Sequence, residues 1–175
     1  KDFEMKNVIT VTGPIPPNEL GQTLMHEHLF VDLSNWLAPP ATAEEIVKAN
    51  QMVSINDIEE LRREPLRSKD NLILNDLQTT VEEIELFKNF GGQTIVEVTL
   101  PGIGRDPRRL KKASEKTGVN IVCGCGYYVA SSHPKEVSAR TKNEISAQMI
   151  SDLTEGIDNT EIRAGIIGEI GLSVG

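Results

Sequence analysis

Histidine, cysteine and tryptophan are scarce in this chain: 175 residues hold three, two and one of them. Each scarcity excludes something. Two cysteines cannot build a disulfide framework, nor a zinc site made of thiolates alone. They are Cys123 and Cys125, one residue apart in Val122-Cys123-Gly124-Cys125-Gly126. That spacing on a strand is poorly suited to a disulfide, so two buried reduced thiols are expected, which fits a cytoplasmic setting. Basic residues are outnumbered, 18 against 26 acidic, for a net charge of -8. This balance argues against nucleic acid or an anionic membrane surface as partner. No apolar run approaches the roughly 18 residues of a membrane span. The opening Lys1-Asp2-Phe3-Glu4-Met5-Lys6 does not read as a signal peptide, and Met5 reads as a candidate native start. No Gly-x-Gly-x-x-Gly follows the first strand, no Walker loop is present, and no nucleophile elbow is expected.

What remains is a chain of single-domain size with an apolar content of 38%. Residues 7–12 read as a short strand and Gly13 to Asn18 as a turn. Residues 22–30 read as a second strand. A polar stretch follows from about 34 to 75, with a helical patch at 43–53 and a charged run from Glu59 to Arg63. A connection this long inside a domain usually covers a site, so a loop or flap is expected. Helices are predicted at 79–90, 106–117 and 133–155, and strands at 94–99, 119–125 and 164–170. Strand and helix alternate, which indicates parallel strands with crossover helices. Basic residues gather at Arg105, Arg108, Arg109, Lys111 and Lys112, read as a solvated helix face.

Two of the three histidines are His26 and His28, flanking Glu27 at the end of a predicted strand. Strand side chains alternate, so both imidazoles point to one face, where they can share a divalent metal. A bare His-x-His also arises by chance. Glu169 lies in the apolar run Ala164 to Ile170, where a carboxylate needs a strong partner. Tyr127 and Tyr128 sit at another strand end. In both architectures that fit, the doubly wound sheet and the (β/α)8 barrel, chemistry occupies this edge. Glu97 reads as a buried supporting acid or as half of an ion pair. His133, before Pro134, reads as a helix-start residue without a functional role.

Four segments resemble the phosphotriesterase family of the amidohydrolase superfamily, in its phosphotriesterase-related branch. They are Gly21 to Leu29 around His-Glu-His, Lys69 to Asp76, Gly104-Arg105-Asp106, and Ala164 to Gly171 with Gly-Ile-Ile-Gly-Glu-Ile-Gly. The resemblance implies an α/β fold, a (β/α)8 barrel of which residues 1–175 supply the first four βα units. It implies two divalent metal ions, usually zinc, and a metal-bridging hydroxide that cleaves an ester, lactone, amide or phosphotriester. His26 and His28 match the first-strand metal ligands, and Glu169 matches the carboxylate that bridges both metals. Other branches place a carboxylated lysine there, and residues 164–170 contain no lysine. That difference favours a small ester or N-acyl amine over a phosphotriester. Tyr128 falls near the family's third-strand aromatic, lining the pocket or simply packing.

The family's two later histidines and its late aspartate have no counterpart in these residues. This chain alone is therefore expected to be inactive and to self-associate as a homo-oligomer through open edges. Ile95, Ile121 and Ile167 are the residues expected at risk of exposure. The rival expectation is a non-catalytic binding or interaction protein on a truncated barrel. The expected partner in the first reading is a small-molecule substrate.

Overall fold

The computed structural model describes residues 7–173; the readings made on Lys1 to Lys6 lie outside them. The described residues open with a hairpin: β1 (Val8–Thr10) pairs antiparallel with β2 (Gly13–Ile15). Residues 13–15 were expected in a turn; the turn is tighter, and Thr10 Oγ1 closes it on the Gly13 carbonyl at 2.7 Å. β3 (Gln22–Glu27) follows, then β4 (Val31–Asp32). The predicted strand at 22–30 is thus divided, and His28 lies just past the end of β3.

The stretch from 34 to 75 is folded rather than a bare loop. It holds α1 (Ala43–Ala49), α2 (Ile58–Arg63), several 3-10 turns, and β5 (Ile73–Leu74). Thr42 caps α1 by accepting from the Glu45 N–H. β5 pairs antiparallel with β4, which staples the segment at both ends.

The βα alternation follows. α3 (Leu77–Asn89) is capped by Asp76 and leads into β6 (Gly92–Glu97). α4 (Pro107–Thr117) starts with Asp106 as cap and proline in its first turn, and stops at Gly118 in the left-handed conformation. β7 (Asn120–Cys125) leads to α5 (Lys142–Thr154), and the last strand is β8 (Ile166–Ile167). The helix predicted at 133–155 begins nine residues later, because Thr141 and Glu144 form a reciprocal capping box. Residues 130–139 form two 3-10 turns instead. The strand predicted at 164–170 is reduced to two residues.

β3, β6, β7 and β8 form one parallel sheet in that order, the curled half of a barrel wall. The pairing of β3 with β6 shifts between Leu24 and Glu27, a bulge at the end that carries the histidines. On the helix side the core contains Ile84, Ile95, Leu110, Ala113, Ile121, Cys123 and Cys125. The opposite face buries Val96, Val98 and Val122 with Val8 and Ile166. Each fully buried aliphatic side chain contributes about 1.5–3 kcal/mol. Ile95 and Ile121 are therefore buried, against expectation, because α3 and α4 cover them; Ile167 is 53% exposed, as expected.

The basic cluster also needs correction. Arg105 is not on a solvated face: its side chain is 4% exposed and bridges Asp152 and Asp158. Arg109 lies over the Phe30 ring, 4.4 Å from its centroid. Cys123 and Cys125 are free and buried, and burial raises both thiols, Cys125 to about 11. Among the described residues no helix is long and apolar enough to cross a membrane.

Candidate metal centre

Three ligand-type side chains meet at the C-terminal edge of the sheet. His26 is the penultimate residue of β3, His28 lies just after it, and Glu169 two residues past β8. His26 Nε2 is 3.2 Å from Glu169 Oε2, and His28 Nε2 is 3.5 Å from Glu169 Oε1. The two imidazoles meet edge to face with centroids 5.4 Å apart. One donor atom from each of the three residues lies within 4.8 Å of the others, the one such cluster among the described residues.

Backbone packing makes this convergence possible. β7 lies between β6 and β8, and the Gly165 and Gly168 N–H groups donate to the Cys123 and Cys125 carbonyls. Gly124 permits the close approach: a Cβ there would stand 2.0 Å from the Gly168 carbonyl oxygen. Glycine at this position thus lets the Glu169 segment lie against β7.

The donor set fits a divalent metal. Ligands about 2.0–2.1 Å from a tetrahedral zinc are about 3.3–3.4 Å apart, close to the two nitrogen–oxygen separations here. Burial holds His28 below its ordinary pKa, against the upward pull of Glu169, so the ring is neutral and able to ligate near neutral pH. Its other nitrogen, Nδ1, is 2.9 Å from Thr99 Oγ1. Thr99 Oγ1 in turn donates to Glu97 Oε1, and the Leu29 and Thr99 N–H groups donate to the same carboxylate at 3.3 Å each. Of the two readings of Glu97, the supporting acid fits: its bonds go to Leu29 and Thr99, while the nearby Arg105 is engaged by Asp152 and Asp158. Sequence reasoning did not single out Thr99; its alternation with Glu97 was the available signal.

Tyr128 is half-buried in the loop after β7. Its ring tilts against Trp36, centroids 5.9 Å apart, and Trp36 Nε1 donates to Ser131 Oγ at 3.1 Å. The backbone of Tyr128 and Val129 passes so close to Gly171 that a Cβ there would be 2.6 Å from the Tyr128 carbonyl carbon. Tyr128 therefore borders the segment that carries Glu169, and the 34–75 segment reaches the same loop through Trp36. His133 is not at a helix start: it closes the 3-10 turn Ala130–Ser132, with Nε2 2.7 Å from the Tyr128 carbonyl. Gly171-Leu172-Ser173-Val174-Gly175 does spell Gly-x-Ser-x-Gly, which the sequence reading overlooked. Ser173 follows irregular backbone rather than a strand, and its Oγ accepts from the Ala130 N–H at 2.8 Å.

A parallel half-barrel with two histidines and a carboxylate at its strand ends defines a barrel-type fold with metal-ligand side chains at its C-terminal edge. The chain belongs to the phosphotriesterase family, whose model matches residues 6–175. It is 39% identical over 167 residues to the N-acetyltaurine hydrolase of Xenopus tropicalis, covering 95% of this chain and 48% of that protein. The human N-acetyltaurine hydrolase is 37% identical over the same length and shares. Among solved structures, a resiniferatoxin-binding protein from Rhodobacter sphaeroides superposes with a TM-score of 0.91 at 42% identity, covering 95% of this chain and 47% of that one. The Escherichia coli phosphotriesterase homology protein gives 0.65 at 29% identity, covering 90% and 44%. The chain spans about half the length of the relatives it matches.

Proposed function

We propose that residues 1–175 are the N-terminal half of one metal-dependent hydrolase barrel, in which His26, His28 and Glu169 hold divalent metal, zinc by donor type. The observation that carries this reading is the meeting of three ligand atoms from two distant strand ends within 4.8 Å. When bound, a divalent metal supplies Lewis acidity, which activates water and polarises a scissile carbonyl or phosphoryl group. The chain's own residues do the rest. The neutral His28 offers Nε2, Glu169 offers both carboxylate oxygens, and Tyr128, braced by Trp36, forms one wall beside them. Glu169 would also help to hold a second metal, whose other ligands would come from further βα units.

The substrate favoured is a small N-acyl amine or ester rather than a phosphotriester. Relatives named N-acetyltaurine hydrolase support the amide class, and the absence of lysine from residues 164–170 supports the branch. A cytoplasmic location belongs to the same reading, supported by the two free thiols. The exposed Met25, Ile167, Ile170 and Leu172 support an apolar surface for further βα units or a second copy to cover.

The test is metal analysis and hydrolysis of N-acetyltaurine, simple esters and a phosphotriester by the complete polypeptide that carries these residues. Bound zinc and amide or ester turnover, both lost in Glu169→Ala, are expected. A metal-free protein, or turnover unchanged in that variant, overturns the reading. A non-catalytic binding protein is the second reading, favoured by the resiniferatoxin-binding relative. It would bind a small molecule with no turnover of any of these substrates.

A further inference from the structure

We propose that Thr99 and Glu97 are positioning residues that lock His28 in the tautomer with Nδ1 protonated and Nε2 free. This rests on the proposed metal-site reading for its purpose, but its geometry stands independently.

The argument is a count of donors and acceptors. A threonine hydroxyl has one proton and two lone pairs, and an ionised carboxylate can only accept. Glu97 is 1% exposed, and Leu29 N–H and Thr99 N–H already point at its two oxygens. With Glu97 ionised, the Thr99 hydroxyl proton goes to Glu97 Oε1. Only a lone pair of Thr99 Oγ1 is then left for His28 Nδ1, 2.9 Å away. Nδ1 must therefore carry a proton, and in a neutral imidazole this leaves Nε2 as the lone-pair nitrogen. That is the nitrogen facing Glu169, 3.5 Å from Oε1.

The placement of the parts supports a dedicated device. A buried acid with no cation of its own is costly unless it is fully hydrogen-bonded. This one spends its bonds on the backbone N–H directly after His28 and on the threonine that holds the ring of His28. Ring and backbone are thus gripped from one carboxylate. His26, 57% exposed on its side chain, has no hydrogen bond from its Nδ1 among the described residues, so the two histidines differ in how firmly they are set.

The experiment is nitrogen-15 NMR of the histidine rings in the metal-free complete polypeptide at pH 8.5, above the value of about 7 to which burial pushes Glu97. His28 is expected in the Nδ1-protonated form with a slowly exchanging proton. Thr99→Val should release it to a tautomer mixture, and Thr99→Ser should restore the lock. Zinc affinity should fall about 10–100-fold in Thr99→Val and stay near the parent in Thr99→Ser, the usual range for partners that orient a ligand. Should Thr99→Val fail to fold, Glu97→Gln reads the same tautomer. A parent protein with His28 protonated at Nε2, or a tautomer unchanged in the folded variants, overturns the proposal. A locked tautomer in a protein that takes up no zinc would sink the metal reading and leave the lock standing.

Discussion

Replacing Arg105 by methionine should be among the most destabilising single changes in this chain. Arg105 Nη1 donates to Asp152 at 3.2 Å, and Nε and Nη2 donate to Asp158 at 3.1 and 2.7 Å. Arg105 and Asp152 are each 4% exposed, whereas Asp158 is 47% exposed. The two pairs therefore differ in weight. The Asp158 pair is close to water and contributes about 0–1 kcal/mol after screening. Asp152 has no such relief, and removing the partner of a buried charge costs about 3–5 kcal/mol. Gln148 still donates to Asp152 at 2.8 Å, which favours the lower end of that range. The assay is urea unfolding of the parent, Arg105→Met, Asp152→Leu and the double variant. The double variant should recover most of the loss, since an apolar pair of similar volume can replace a buried ion pair. A loss below about 1 kcal/mol for Arg105→Met, or a double variant no better than the sum of the singles, would refute the assignment of the energy to a desolvated pair.

Three further outcomes are expected. Glu169→Gln should lower bound zinc by at least one equivalent in elemental analysis, with little change in far-ultraviolet circular dichroism; undiminished metal content would count against the ligand role. Because Glu97 titrates near 7, above its ordinary value of 4.5, its contribution to stability is full below that ordinary value and is lost as pH rises through 7. By pH 8.5 the cost is about 3 kcal/mol, which Glu97→Gln should abolish in metal-free unfolding curves; parallel pH profiles of parent and variant would contradict this. Gly124→Ala places a carbon 2.0 Å from the Gly168 carbonyl oxygen, so the variant should lose about 1–3 kcal/mol and bind metal more weakly; a neutral substitution would mean that β8 moves freely.

The alternation of strands and helices was legible because each helix carries its own punctuation. Asp106-Pro107 opens α4 and Gly118 closes it, both local signals. α5 shows the opposite case. His133-Pro134 reads as a helix start, but the capping box at Thr141 and Glu144 overrides it, and hydrophobic spacing does not report which of two competing starts wins. The short β8 was misjudged for a related reason. Ala164 to Ile170 is apolar enough for a full strand, yet only Ile166 and Ile167 pair in register with β7. Beyond them the backbone leaves the ladder and Glu169 lies beside the two histidines, so the sequence rule for strands fails at the proposed ligand.

The three candidate ligands were legible by type and by resemblance, while their supports were not. His26 and His28 announce themselves by spacing, because alternation puts both on one side. Alternation ties Thr99 only to Glu97; its partner at the site, His28, is 71 residues distant along the chain. It becomes visible only once β6 lies beside β3 with Glu97 opposite Glu27. Arg105 was misread for the same reason. Its neighbours Arg108, Lys111 and Lys112 lie along an exposed helix, and the acids that draw Arg105 inward come 47 and 53 residues later. Ligand identity is a local property of a motif, whereas the tautomer, burial and charge of each ligand depend on register across the sheet. In the proposed metal site, slippage of β3 on β6 would accordingly be felt first at the hydrogen bonds behind His28, as altered metal affinity.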